Sequence, residues 1–343
     1  MRAAAYVGDQ TIRVEERKPV EPEPGQVQLD VAYVGICGTD LHIKHGAMDA
    51  RVTLPAVIGH EMSGTVAAVG KGVTAWSPGD RVTVMPLRWC GDCAACRAGH
   101  RHVCERLVFV GIDAPGALQQ SWTIDQDLVV RLPERLPLDQ AALAEPLAVA
   151  VHDVRRSGLV AGGRALVVGG GPIGLLIALV AASEGIGVLL SEPNAFRRAV
   201  AEQLGLRAID PLADDVASAI DEWTDGAGVD VAFEVSGSGP GLATATHSLR
   251  VRGRLVVVAI HSQPVPLDLF RVFWRELEVA GARVYERTDF ERAVELLAAG
   301  AIPTAPLISA VVPLERTADA FAALEGGGEV VKVLVDCQTQ RAR

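Results

Sequence analysis

Four cysteines, Cys90, Cys93, Cys96 and Cys104, lie within the fifteen residues "CGDCAACRAGHRHVC". Structural zinc takes four ligands in a closed tetrahedron, and thiolates two residues apart can turn back onto one ion. The alternative, buried free thiols, is disfavoured because Gly91, Arg97, Gly99 and Arg101 give this segment little apolar content to bury. His100 and His102 offer imidazoles nearby, but four thiolates already complete the shell. Such a site has no position open for a substrate, so it braces the chain and performs no reaction.

A second set of residues has a different chemistry. The stretches "GICGTDLHI" and "GHEMSG" supply Cys37, Thr39, His42, His60 and Glu61. A catalytic zinc needs mixed donors from separate segments and one free position. Cys37 and His60 alone would fit core residues equally well. The third set is "GGGPIG", Gly169 to Gly174, placed directly after the apolar run "ALVV" and before a helical pattern. Glycine there permits a tight turn and close approach of a pyrophosphate, and the helix start supplies amide hydrogens. Gly169, Gly171, Pro172, Ile173 and Gly174 are therefore expected to cradle a dinucleotide. Glu192 follows Gly174 by eighteen residues at the end of the next apolar run. Its carboxylate would accept from ribose hydroxyls and repel a 2′-phosphate, which favours NAD over NADP. Arg197 and Arg198 follow it, and a solvated helix face is their other reading.

These residues need elements to hold them. A chain of 343 residues suggests two domains. Up to about Glu145, short apolar runs such as "QVQLDVAYV" and "GTVAAVG" are punctuated by Pro and Gly, the texture of an irregular β domain. From Gly163 the runs "RALVVGG", "GVLLSE", "VDVAFEVSG" and "GRLVVVAI" alternate with helical patterns. That alternation predicts parallel strands joined by crossover helices. After Tyr285 the helical stretch "RTDFERAVELLAAG" and later strands could return to the first domain, and the closing "QTQRAR" reads as a loose tail.

The totals narrow the partners. A formal charge of −10 and a pI near 5.3 argue against nucleic-acid or anionic-membrane surfaces and favour a small molecule. The uncharged run from Ala165 to Ala182 approaches the length of a membrane span, but its Gly-Gly-Gly-Pro centre argues against one. The beginning "MRAAAYVGDQTIRVEE" does not resemble a secretory signal, so the expected location is cytoplasmic. A reducing compartment also favours metal ligation over disulfides for the clustered thiols.

Taken together in this order, "GICGTD" with "GHEMSG", the four-cysteine lobe and the glycine turn resemble a zinc-dependent medium-chain dehydrogenase of the alcohol dehydrogenase superfamily. The resemblance runs over nearly the whole chain. It implies an α/β protein: a GroES-like β catalytic domain over 1–146 and 286–343, and a doubly wound parallel-sheet Rossmann NAD-binding domain over 147–285. It also implies an active site in the cleft between them. Six cysteines are present, and none lies near residue 145, where ethanol-type members keep a second thiolate. The segment "EPLAVAVH" is instead similar to the Glu-Pro stretch of the sorbitol, butanediol and threonine dehydrogenase branch. The resemblance thus adds Glu145 to Cys37, His60 and Glu61 as ligands of the catalytic zinc. Thr39 takes the position of the family's relay hydroxyl, His42 that of the group passing the proton outward, and Arg197 that of a base near the adenosine ribose.

The implied reaction is oxidation of a secondary alcohol to a ketone with NAD, on a polyol, sugar alcohol or vicinal diol. A threonine-type amino alcohol is the alternative substrate. A zinc- and dinucleotide-binding protein without redox turnover is the alternative from another class, and a zinc hydrolase has no need of the glycine turn. Family members are commonly dimers or tetramers, so a homo-oligomer is expected. Two departures from the branch bear on substrate. Arg283 is displaced by one place relative to Tyr285 from the polyol members' arginine, and "GIDAPGALQQSW" places Gln119, Gln120 and Trp122 where pocket walls or a surface loop would lie.

Overall fold

A computed structural model describes residues 1–339. It divides into two compact units: one holds Met1–Glu145, Glu286–Gly300 and the chain from Ile308 onward, the other Pro146–Tyr285 and Ala301–Leu307.

The first unit is built on a seven-stranded sheet. Its long central strand, Gln26–Gly35, alternates buried and more open positions from Gln26 to Val31, as a period of two requires, and loses the alternation at the register shift between Val31 and Tyr33. This strand pairs antiparallel with Glu61–Val69, Ser121–Asp125 and Lys332–Asp336. The pairing brings segments three hundred residues apart to one place, because Gly35 is in register with both Glu61 and Leu334. A Cβ at Gly35 would collide with the carboxylate of Glu61, so glycine is needed there. The hairpin of Leu87–Arg88 and Val108–Phe109 closes the base of the cysteine lobe. The helix predicted after Tyr285 forms at Arg287–Ala298 within this unit.

The second unit is a six-stranded parallel sheet. Its strands run Arg207–Ile209, Gly187–Ser191, Arg164–Val168, Val229–Glu234, Leu249–Val257, Glu278–Gly281 across the sheet. Numbered by sequence this is 3-2-1-4-5-6, whose order reverses beside the first strand, where a dinucleotide crevice opens. The uncharged run that resembled a membrane span is the strand Arg164–Val168, a turn, and the twelve-residue helix Pro172–Ser183. That helix buries Leu175, Leu176, Ile177, Leu179 and Val180, each worth roughly 1.5–3 kcal/mol of transfer free energy. Among the described residues no helix is long and apolar enough to cross a membrane.

Of the closing tail, residues 340–343 lie outside the described residues. Its beginning is tied down: the Gln338 amide donates to the carbonyls of Val31 and Gln120, and Thr339 bonds to Asp336.

Candidate functional site

The cysteine lobe comes first because it is self-contained. The short helix Ala94–Arg97 starts at Cys93, whose sulfur accepts from the Cys96 amide at 3.4 Å. Cys90 and Cys104 lie 3.4 Å apart, Cys93 and Cys104 3.9 Å, and Cys90 and Cys96 3.9 Å. All six cysteines are free thiols. Zn–S bonds of about 2.3 Å place the corners of a tetrahedron about 3.8 Å apart, so the four sulfurs fit one ion. Amides of Cys90 and Arg106 point at the Cys104 sulfur, and the Cys96 amide lowers the Cys93 thiol to about 6. Donors aimed at sulfur in this way favour thiolate.

The second grouping sits at the end of the central strand. Cys37 begins the helix Gly38–Lys44, and His60 and Glu61 open the strand Glu61–Val69. One donor atom from each of Cys37, His60 and Glu61 lies within 4.8 Å of the others. His60 and Glu61 are fully buried. Thr39 is half-buried and His42 exposed, three residues apart on one helix face. Glu145 is buried in the first turn of the helix Ala144–Ser157 and lies outside the 4.8 Å grouping, though its charge acts on His60.

Two residues that sequence reasoning missed complete this grouping. Asp40, fully buried, accepts from the Cys37 amide at 2.9 Å through Oδ2, and its Oδ1 stands 3.7 Å from His60 Nδ1. Among the described residues, neither Oδ1 nor Nδ1 has a hydrogen-bond partner. With Nδ1 turned to Asp40, Nε2 is the ring nitrogen left for an ion. Burial alone would disfavour an imidazolium, yet Asp40 and Cys37 raise the His60 pKa well above the ordinary value. The surroundings of His60 therefore call for positive charge. The second missed residue is Lys332, buried at the start of Lys332–Asp336, whose ammonium bonds both oxygens of Glu61 at 2.8 and 2.7 Å. The sequence signal for Asp40 was its place three residues after Cys37; "KVLVD" gave none for Lys332.

In the second unit the glycine turn follows the first strand. Gly169 has φ +107°, and Gly171 precedes Pro172 at the first helical position, where proline's missing N–H costs nothing. A Cβ at Gly174 would collide with the Gly169 carbonyl. Ile173 is half-buried within the first helical turn. Glu192 is buried beside the turn, accepting from the amides of Gly170 at 2.5 Å and Asn194 at 2.7 Å. Each oxygen keeps lone-pair capacity for a further donor. Arg198 is committed elsewhere, to Asp210 and the carbonyls of Glu192 and Pro193. Arg197, half-buried, has an Nε without a partner among the described residues.

Comparison with known proteins agrees with this layout. The family described as "Alcohol dehydrogenase GroES-like domain" matches residues 23–134, and "Zinc-binding dehydrogenase" matches 172–299. A 2-dehydro-3-deoxy-L-galactonate 5-dehydrogenase of Pseudoalteromonas atlantica is 51% identical over 99% of this chain and all of its own. The chain belongs to the zinc-dependent medium-chain dehydrogenase family. Sorbitol dehydrogenase of Bacillus subtilis is 33% identical over 98% of this chain and 97% of its own. The solved 2R,3R-butanediol dehydrogenase of Bacillus subtilis superposes with a TM-score of 0.90, at 34% identity, covering 98% of this chain and 99% of that one.

The dehydrogenase's loop "GIDAPGALQQSW" is structural where its side chains can be followed. The Gln119 amide donates to the Gly116 carbonyl, Gln120 accepts from the Arg2 amide, and the Trp122 indole donates to the Pro115 carbonyl. Gln119 and Trp122 do line a cavity of about 470 Å³ together with Arg17 and Arg88, but none of Cys37, His60 and Glu61 borders it.

Gly174 offers a direct test of the turn. In a Gly174→Ala dehydrogenase the added methyl meets the Gly169 carbonyl, and overpacking of this kind costs roughly 1–3 kcal/mol. NAD affinity measured by fluorescence titration should fall about tenfold or more, at an unchanged zinc content.

Proposed function

We propose that this dehydrogenase oxidises a secondary hydroxyl of a polyhydroxylated substrate to a ketone, with NAD as the hydride acceptor. The convergence of Cys37, His60 and Glu61, backed by Asp40, is the observation that carries this reading. The 51% identity to an enzyme named for the 5-position of 2-dehydro-3-deoxy-L-galactonate makes that sugar acid the first substrate to try. Neutral polyols and vicinal diols follow, as the sorbitol and butanediol relatives indicate.

Cys37 and His60, with Glu61 and Glu145 as the carboxylates nearby, would hold zinc, which when bound would supply Lewis acidity to lower the pKa of a substrate hydroxyl. The remaining roles fall to the chain. Asp40, with its Oδ1 3.7 Å from His60 Nδ1, favours a proton on that nitrogen and leaves Nε2 for the ion. The Thr39 hydroxyl, able to accept and donate at once, takes the substrate O–H proton and passes it on. His42, exposed on the same helix face, releases that proton to water. Bound NAD would supply the hydride acceptor, so the balance would be ketone, NADH and one proton. In the second unit, Glu192 would accept from the ribose hydroxyls of a bound dinucleotide and disfavour a 2′-phosphate, and Arg197 would hydrogen-bond the adenosine ribose. The Cys90, Cys93, Cys96 and Cys104 lobe holds a second zinc with no reactive role.

Screening for reduced-nicotinamide absorbance with the sugar acid, polyols, diols and threonine tests the proposal. Turnover on polyhydroxylated substrates should exceed that on simple primary alcohols, and NAD should surpass NADP at least about tenfold in kcat/KM. No turnover on any of them would favour a dinucleotide-binding protein without redox activity. Thr39→Val should lower kcat by roughly 10²–10⁴, the usual contribution of a positioned proton-transfer group.

The protein is also proposed to be a homo-oligomer, with a second copy covering one edge of the parallel sheet. Glu278–Gly281 is an edge strand with Val279 exposed, and the preceding helix Leu269–Trp274 exposes Leu269, Phe270, Phe273 and Trp274. An open apolar edge of this kind is a pairing surface. Light scattering should give a dimer or tetramer, and Trp274→Glu should reduce its size.

A further inference from the structure

Segment 45–59 joins the helix that carries Thr39 and His42 to His60 and Glu61, and it holds a cation that the reaction above leaves unused. Lys44 and His45, where that helix ends, are committed to Glu325 at 2.6 and 2.8 Å. Arg51 instead forms a fork with Asp113, Nε to Oδ1 at 2.5 Å and Nη2 to Oδ2 at 2.7 Å. Asp113 is itself fixed by Phe109, accepting from the Phe109 amide at 2.7 Å and donating its own amide to the Phe109 carbonyl at 2.8 Å. The Phe109 ring stands edge-on to the His60 imidazole, with centroids 5.1 Å apart. Between Phe109 and Asp113, Gly111 has φ +96°, and a Cβ there would collide with the Gly59 carbonyl and come to 3.1 Å from His60 Cβ. Arg51 is thereby anchored, through one turn of chain, beside a metal donor.

We propose that Arg51 reads a carboxylate on the substrate, so that the polyhydroxylated alcohol taken by this site is a sugar acid. The inference deepens the proposed function and rests on it. A guanidinium offers five N–H donors in a rigid planar fork. Asp113 engages Nε and Nη2, and no described residue engages Nη1. The end-on edge of Nη1 and Nη2 therefore remains for a second carboxylate, which it matches with two parallel bonds. With the Arg51 side chain 40% exposed, the pair with Asp113 adds little to stability. Its effect is to fix the plane of the guanidinium before a ligand arrives, so that less freedom is lost on binding. Around the metal donors stand the acids Asp40, Glu61 and Glu145. A seat on Arg51 holds the acid end of the substrate apart from them and from the ion, and leaves a hydroxyl further along the carbon chain to meet Cys37 and His60.

The test compares 2-dehydro-3-deoxy-L-galactonate with its primary amide, which keeps the hydroxyls and loses the charge, on zinc-loaded enzyme with NAD. Wild type should favour the acid about 10–100-fold in kcat/KM, the factor that a charge-assisted hydrogen-bonded pair supplies. That preference should lie in KM and not in kcat, as expected of a group that binds substrate and transition state equally. Arg51→Gln should bring the acid-to-amide ratio down to about one. Arg51→Lys, which keeps the charge and loses the fork, should fall between. Both substrates are measured on one preparation, so the ratio does not depend on the fraction folded. A wild type that takes the amide or sorbitol as well as the acid, or better, would overturn the proposal. So would an Arg51→Gln enzyme that kept the wild-type ratio. Should that variant fail to fold, an unchanged ratio in Arg51→Lys would overturn it instead. Failure of the underlying reading looks different: the wild type would then reduce no NAD with the acid, the amide or sorbitol.

Discussion

A Cys37→Ser enzyme is expected to contain one zinc per chain instead of two and to lose on the order of a thousandfold or more in kcat/KM. Cys37 contributes the only sulfur to a grouping whose other members are an imidazole and a carboxylate. Serine is a poor ligand at neutral pH because its hydroxyl stays protonated, so the Lewis acid would be lost with the thiolate. NAD binding should survive, since Gly169, Gly174 and Glu192 belong to the other compact unit. Metal analysis, steady-state kinetics and a cofactor titration on the same preparation would read all three effects. Loss of NAD binding together with zinc would point instead to general misfolding.

The second large effect belongs to the lobe. Cys93→Ala should remove the other zinc, leaving the catalytic ion in place. Cys93 begins the helix Ala94–Arg97, and its sulfur is bonded to the Cys96 amide and lies 3.9 Å from Cys104. The lobe has little else to hold it. Its buried residues are Cys93, Cys96 and Cys104, with Trp89, Cys90, Ala95 and Leu107 packed partly against them. Metal binding is folding free energy in a segment of this kind. Limited proteolysis should therefore cut between Trp89 and Leu107 in the variant and leave the wild-type lobe intact, with a melting temperature lower by about 10 °C. Treatment of the wild type with a strong chelator should reproduce the cutting pattern.

Much of the site was legible because its signals are local. The spacing of Cys90, Cys93, Cys96 and Cys104 is a property of one loop, and the glycine turn announces itself by lying between an apolar strand and a helix start. The parallel sheet followed from alternation of strand and helix patterns. What escaped depends on contacts across the chain. Lys332 reads as a solvated residue opening a strand, and only pairing of Lys332–Asp336 with Gln26–Gly35 brings it to Glu61. Asp40 reads as a helix-start carboxylate, which it is, since it accepts from the Cys37 amide; its second oxygen facing His60 comes from the packing. Gln119 and Gln120 stood where pocket walls or a surface loop would lie, yet the Gln119 amide donates to the Gly116 carbonyl and the Gln120 Oε1 accepts from the Arg2 amide. Composition cannot distinguish a side chain bonded to its own backbone from one offered to a ligand. The segment Ala301–Leu307 belongs with the second unit although it lies between two stretches of the first, a grouping set by contacts.

Zinc-edge X-ray absorption of the wild-type protein addresses the metal claim most directly. Four sulfurs on one ion and a single sulfur on the other predict an average of about two and a half sulfurs per zinc, at two zinc ions per chain, with nitrogen and oxygen filling the remainder. Cys37→Ser should raise that average to about four at one ion per chain. A wild-type protein holding one zinc with four sulfurs and no second site, yet still reducing NAD with a polyhydroxylated substrate, would contradict the account: the hydroxyl would then be activated without the ion assigned to Cys37 and His60.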